Sequence, residues 1–250
     1  MSTLERDRHK YEKLRQQKGT LRASIRAALI VLDRIAPWAS RTLERLDTWL
    51  RLSVNRGDMP DQLHVGCGLN LLDGWLNADL LPTADLYVDV RRPLPFQDET
   101  FEAMYAEELI EHLSLQDGML FLREAHRCLR PGGKIRLTTP NLRFVSQCFR
   151  REPAHLRAMR SHKETFLSED SPLDDITPAK YLNDMFHMHN HRFLYDFTTL
   201  CELLQTAGFT DIRREEYGES RWNVFQGLDS HAGRLDTPSE ATLFVEACRG

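Results

Sequence analysis

Residues 63–68 read Leu63-His64-Val65-Gly66-Cys67-Gly68, a short apolar run ending in two glycines spaced one apart. A second apolar segment, Trp75-Leu76-Asn77-Ala78, ends at Asp79. A strand that stops at Gly-x-Gly lets a ligand approach its backbone without meeting a Cβ. A carboxylate at the tip of the neighbouring strand can accept both hydroxyls of a ribose. Gly-x-Gly alone occurs in many loops, so the weight falls on the order of what surrounds it.

Outward from this notch the chain alternates strand and helix. Strands are expected over 62–65, 75–78, 84–88, 101–106, 134–138, 209–216 and 242–247. Leu115, Met119, Leu122, Ala125 and Leu129 keep helical spacing, and Arg130-Pro131-Gly132-Gly133 stops that helix. A second helix over 197–207 closes at Gly208. Such alternation implies a mainly parallel sheet covered on both faces. Only ten residues separate Gly68 from Asp79, too few for a full helix between the first two strands. Residues 143–196 are polar, irregular, helical in part, and longer than an ordinary connection. They read as an insertion that shapes an acceptor pocket, a lid, with a mere packing insertion as the alternative.

Toward the N-terminus the pattern changes. Apolar residues at 21, 25, 28, 29, 32 and 35 form one helical stripe, which Pro37 breaks. A second helix over 40–52 carries Leu43, Leu46, Trp49 and Leu50 on one face, and 55–60 is a linker by composition. The expected organisation is a helical extension over 1–57 and one α/β domain over 58–250.

The chain has 250 residues, 41% hydrophobic and 28% charged, the composition of a soluble globular protein. No apolar run approaches the roughly eighteen residues of a membrane span, and the first residues lack the apolar core of a signal peptide. Cys67, Cys128, Cys148, Cys201 and Cys248 are scattered and odd in number, which indicates neither a disulfide frame nor a zinc site and suits a reducing cytoplasm. The net charge of −4 is uneven: the first 60 residues hold 13 Lys/Arg against 7 Asp/Glu, the remainder 20 against 30. An acidic body argues against a nucleic-acid partner held by phosphate contacts. The basic head could pack on the body as a cap, form a dimer contact, or lie on an anionic membrane surface.

Taken together, the segments resemble the class I S-adenosylmethionine-dependent methyltransferases, in particular the type-11 group. The resemblance is carried by His64-Val65-Gly66-Cys67-Gly68, Asp79, Asp89 followed by Leu94-Pro95-Phe96, Phe101-Glu102-Ala103-Met104-Tyr105, Glu111-His112-Leu113, Leu129-Arg130-Pro131-Gly132-Gly133-Lys134 and Leu203-Leu204-Gln205-Thr206-Ala207-Gly208-Phe209. It implies a Rossmann-like seven-stranded sheet, mostly parallel with the last strand antiparallel, and S-adenosyl-L-methionine as cofactor. It also implies residue roles. Gly66, Cys67 and Gly68 would lie against the methionine and ribose, Asp79 would hold the ribose hydroxyls, Asp89 and the Val90 amide would face the adenine, and Glu107 would sit near the sulfonium. This chain departs from the pattern at His64, where the family usually has an acid, and near Asn70, where it has a third glycine.

A sulfonium is already a good methyl donor, so the protein must align the acceptor and, for a hydroxyl acceptor, supply a proton sink. Histidines suit that task. His187, His189 and His191 form His-x-His-x-His, which would share one face of an extended segment. No acid stands at ligand spacing beside them, so no metal is expected. In type-11 relatives a segment similar to the one from His191 to Tyr195-Asp196 lies over the acceptor pocket, which makes His191 the first candidate base and His112 the second. The pattern from Leu182-Asn183 to Tyr195-Asp196 looks like methyltransferases of surface-glycan synthesis. The expected activity is O-methylation of a glycan or other small-molecule hydroxyl; the alternatives are a natural-product or lipid-precursor methyltransferase, or a non-catalytic S-adenosylmethionine-binding scaffold.

Overall fold

A computed structural model describes residues 59–250 other than 82, 167–175 and 231–237, together with scattered positions between 28 and 52. The seven strands are β1 (Gln62–Val65), β2 (Leu76–Asp79), β3 (Leu86–Tyr87), β4 (Phe101–Glu107), β5 (Leu129–Pro140), β6 (Phe209–Glu215) and β7 (Thr242–Arg249). Their order is β3-β2-β1-β4-β5-β7-β6. The pairs β1/β2, β2/β3 and β4/β5 are parallel, whereas β7 runs antiparallel to both of its neighbours. The Rossmann-like sheet with a closing antiparallel strand is therefore present. The chain divides into two compact units: Met1–Asp89 with Leu94–Gln97, and Val90–Pro93 with Asp98–Gly250.

In the first unit, Leu63, His64 and Val65 of β1 are all buried, as a parallel strand covered on both faces requires. The connection to β2 has no helix, as the residue count demanded. A crossover this short must still satisfy its backbone polar groups, and Asn77 does most of that. Its side-chain amide donates to the carbonyls of Leu72 and Trp75, and its Oδ1 accepts from the Leu72 N–H. The carboxylate of Asp85 accepts from both the backbone and side-chain amides of Asn77. That bond explains a correction: β3 is two residues rather than the expected 84–88. Asp85 turns inward to Asn77, and ladder pairing starts only at Leu86 opposite Ala78. The far side of β3 does not stay bare, because the Thr48 hydroxyl both donates to the Tyr87 carbonyl and accepts from its N–H. A helical side chain thus closes a strand edge. In contrast, Leu43 and Leu46 of the expected apolar stripe are about half exposed. Whether Trp49 and Leu50 share their face lies outside the described residues.

In the second unit, β5 begins at Leu129, earlier than expected. Leu129 pairs with Phe101 and Lys134 with Ala103, so residues 130–133 bulge out between two ladder pairs. Gly132 has φ +75°, and a Cβ on Gly133 would stand 2.7 Å from the Arg130 carbonyl oxygen, which is why two glycines occupy this excursion. The helix α1 (Leu115–Cys128) starts at Ser114, whose hydroxyl accepts the Asp117 N–H. Residues 142–190 then form α2 (Leu142–Ser146), α3 (Pro153–Phe166) and α4 (Pro178–His187) with short 3-10 turns. Phe144, Val145, Cys148, Ala158, Met159 and Tyr181 give this insertion a small core. Its two ends meet, since Leu142 N–H donates to the Tyr195 carbonyl at 2.9 Å. The chain continues into α5 (Phe197–Ala207), capped by Asp196 at its start and by left-handed Gly208 at its end.

A fully buried guanidinium organises the C-terminal part. Arg136 on β5 pairs with Glu246, its register partner on β7, at 2.6 Å and with Asp229 at 2.5 Å. Its remaining N–H groups donate to the carbonyls of Glu216 and Glu219. Asp229 in turn accepts from the Gly218 N–H and the Tyr105 hydroxyl. This cation ties the described part of the long connection between β6 and β7 to β5 and β7.

Candidate functional site

The first unit brings Gly66, Gly68 and Asp79 together. Gly66 and Gly68 have φ of +70° and +52°, a backbone that strains any residue bearing a Cβ. Among the described residues, an added Cβ on Gly68 would meet nothing within 4 Å, so no described side chain closes over the strand tip. The carboxylate of Asp79 accepts the Gly68 N–H at 2.9 Å and the Leu81 N–H at 2.8 Å, and the Thr83 hydroxyl donates to the Gly68 carbonyl. Asp79 therefore fixes the glycine turn. A carboxylate accepts up to about four hydrogen bonds, so Asp79 retains acceptor capacity for ligand hydroxyls. Burial raises its pKa above the ordinary value, and the backbone amides of Gly68, Leu81 and Leu80 oppose that rise. Cys67 is buried within the turn, and its thiol lies 3.9 Å from the Gly68 carbonyl. Asp89, ten residues past Asp79, is half buried. An open notch without side chains, next to a carboxylate with spare acceptors, fits an adenosyl group.

The second unit holds Val90, which is buried, and the remaining site residues. Both carboxylate oxygens of Glu107 accept from Ser230, one from its N–H at 2.6 Å and one from its hydroxyl at 2.7 Å. His112 and His191 stand edge to face with ring centroids 5.0 Å apart, although the sequence separates them by most of the insertion. Nδ1 of His191 lies 2.6 Å from the Met185 carbonyl, which makes it the donor nitrogen and leaves Nε2 as an acceptor. Burial pushes the His191 pKa down to about 4, with His112, His189 and His162 adding to the fall. Burial lowers the His112 pKa as well, against the pull of the Asn190 and His189 carbonyls. Two neutral imidazoles thus face each other near pH 7.

The expected extended face of His187, His189 and His191 is corrected. His187 ends α4, and His189 and Asn190 both take left-handed backbone, with φ of +59° and +61°. The chain turns between these residues instead of alternating, and His187 is exposed. Sequence reasoning also passed over Glu111. Its side chain is fully buried, its Oε2 accepts the Thr139 hydroxyl at 3.0 Å, and its carbonyl accepts the N–H groups of Arg192 and Phe193. Burial raises the pKa of Glu111 and of its neighbour Glu108, and the negative charge of Glu111 raises that of Glu108 further. The available signal was an acid directly preceding a candidate base.

A family model described as a methyltransferase domain matches residues 80–137. The match supports a class I S-adenosylmethionine-dependent methyltransferase and S-adenosyl-L-methionine as its cofactor. No curated protein matches the chain. Among solved structures, the chain is similar to an S-adenosylmethionine-dependent methyltransferase of Thermotoga maritima, a possible histamine N-methyltransferase, at 14% identity over 88% of this chain and 99% of that one, with a TM-score of 0.44. A methyltransferase of Mesorhizobium loti is similar at 18% identity over 82% and 100%, with a TM-score of 0.45. Phosphoethanolamine N-methyltransferase 2 of Haemonchus contortus, solved with phosphomonomethylethanolamine and S-adenosylhomocysteine, is similar at 14% identity over 96% and 60%, with a TM-score of 0.44. No helix among the described residues is long and apolar enough to cross a membrane.

Proposed function

We propose that this chain transfers a methyl group from S-adenosyl-L-methionine to a hydroxyl of a glycan or another small molecule, in the cytoplasm, as a step of polysaccharide modification. When bound, the cofactor supplies an electrophilic methyl on a sulfonium. In this reading Gly66, Cys67 and Gly68 offer backbone to the methionine and ribose, Asp79 accepts from the ribose hydroxyls, and Asp89 with the Val90 amide meets the adenine. Glu107, whose carboxylate accepts from Ser230, would sit near the sulfonium in this reading.

The observation that carries the hydroxyl preference is the pair of neutral imidazoles, His112 and His191, in edge-to-face contact. A hydroxyl must lose its proton as the oxygen–carbon bond forms, and a neutral ring nitrogen can take it. Nδ1 of His191 is committed to the Met185 carbonyl, which fixes the ring and presents Nε2 as acceptor. The acidic body favours an acceptor that is neither nucleic acid nor strongly anionic.

The test is transfer of labelled methyl to a panel of glycans and small hydroxyl compounds, beside matched amines. Labelled product from a hydroxyl, lowered about 100-fold or more in both His112→Ala and His191→Ala, is the expected result. Methylation of amines alone would overturn the hydroxyl reading. Cofactor binding without any transfer would favour a scaffold role instead.

A further inference from the structure

We propose that Glu111, His112 and His191 form a binding site for a divalent first-row transition-metal ion, held by one carboxylate oxygen and two imidazole nitrogens. This goes beyond methyl transfer and does not depend on it, and it reverses the expectation that the histidine-rich segment lacks an acid. The ligand atoms of the three residues lie within 4.8 Å of one another. Around an ion with bonds of about 2.0–2.2 Å, tetrahedral ligands stand roughly 3.5 Å apart, so small side-chain rotations close the set.

The surroundings are those of prepared ligands. A metal-bound histidine commonly donates its other ring N–H to a carbonyl, which fixes its tautomer. His191 does this through Nδ1 to the Met185 carbonyl at 2.6 Å. The ring of His112 is drawn to the carbonyls of Asn190 and His189. Glu111 has its Oε2 tied by the Thr139 hydroxyl, and its buried Oε1 meets no hydrogen-bond donor among the described residues. Among the described residues, no Lys or Arg pairs with the Glu111 carboxylate. The backbone supports the same grouping, because the Glu111 carbonyl receives the Arg192 and Phe193 amides and so docks the His191 segment beside His112.

Two nitrogens and one oxygen favour zinc, manganese or iron over calcium and magnesium, which prefer all-oxygen shells. Three protein ligands leave at least one position for water or an acceptor oxygen. The ion would occupy the same ring nitrogens that serve as proton acceptors in the metal-free protein, so the two roles exclude each other at any moment.

The experiment is calorimetric titration of the chelator-stripped full chain with zinc chloride and with manganese chloride, without cofactor or acceptor, alongside Glu111→Gln, His191→Ala and His187→Ala. The expected result is saturable binding of about one ion per chain, weakened about 100-fold or more in Glu111→Gln and His191→Ala and unchanged in His187→Ala. Circular dichroism of each variant checks folding, and His191→Ala stands as the deciding variant if Glu111→Gln does not fold. No binding, or binding that persists in folded His191→Ala, would overturn the site. Because the readout is binding without substrate, its failure leaves the methyl-transfer reading untouched, and the reverse holds too.

Discussion

Among the described residues, neither the β1–β2 crossover nor the β6–β7 connection contains a long helix, yet they are held by different chemistry. In the first, a neutral amide and two acids within a few residues of the loop satisfy its backbone: Asn77 binds Leu72 and Trp75, Asp85 binds Asn77, and Asp79 binds Gly68. In the second, a buried cation from β5 reaches the carbonyls of Glu216 and Glu219, and two buried acids neutralise it. Local amide bonds cost little desolvation and leave the tip free for a ligand. A buried ion cluster is worth little over an apolar core while complete, but it is severe to break. The first device suits a turn that must stay open, and the second suits a loop that must stay shut.

The contrast makes graded predictions. Asp229→Ala leaves Arg136 with one acid in place of two, so chemical denaturation should show a loss of about 3–5 kcal/mol. Asn77→Ala removes one donor group and one acceptor but no charge. The Leu72 and Trp75 groups are then left partly unsatisfied, and the expected loss is about 2–3 kcal/mol. Equal losses in the two variants would break the distinction between the loops. A third point on the scale is the cap of α5. Asp196→Ala should cost about 1 kcal/mol. The Thr199 hydroxyl, and after it the Thr199 amide, hold the Asp196 carboxyl below its ordinary 3.8. A lowered folded pKa means that this stabilisation is complete above pH 3.8 and is lost as the pH falls through the folded value. Wild type and Asp196→Ala should therefore converge in acid, as urea midpoints across a pH series would show. A constant difference at all pH values would contradict the cap.

The same difference in range explains what could be read without coordinates. Gly66, Gly68 and Asp79 were legible because they lie close in sequence and act largely through backbone geometry. The missing crossover helix followed from counting residues. The Arg136 cluster was invisible, since its partners stand far along the chain and nothing in the sequence joins them. Gly118, silent inside a helix, is explained only by the Tyr195 hydroxyl, which lies 2.8 Å from where its Cβ would stand. Glu111 gained meaning only when the insertion folded back to set His191 beside His112. The His-x-His-x-His pattern misled because strand alternation presumes extended backbone, and two left-handed residues interrupt it.

The central claim is that the Gly66–Gly68 notch and Asp79 hold the adenosyl end of S-adenosyl-L-methionine. Calorimetric titration of the full chain and of Asp79→Ala with S-adenosyl-L-methionine tests it most directly. Hydrogen bonds to a charged group contribute about 1.5–3 kcal/mol, so the variant should bind about 10- to 100-fold more weakly than a saturable wild type. Equal affinity in the two proteins, or no binding by the wild type, would contradict the account.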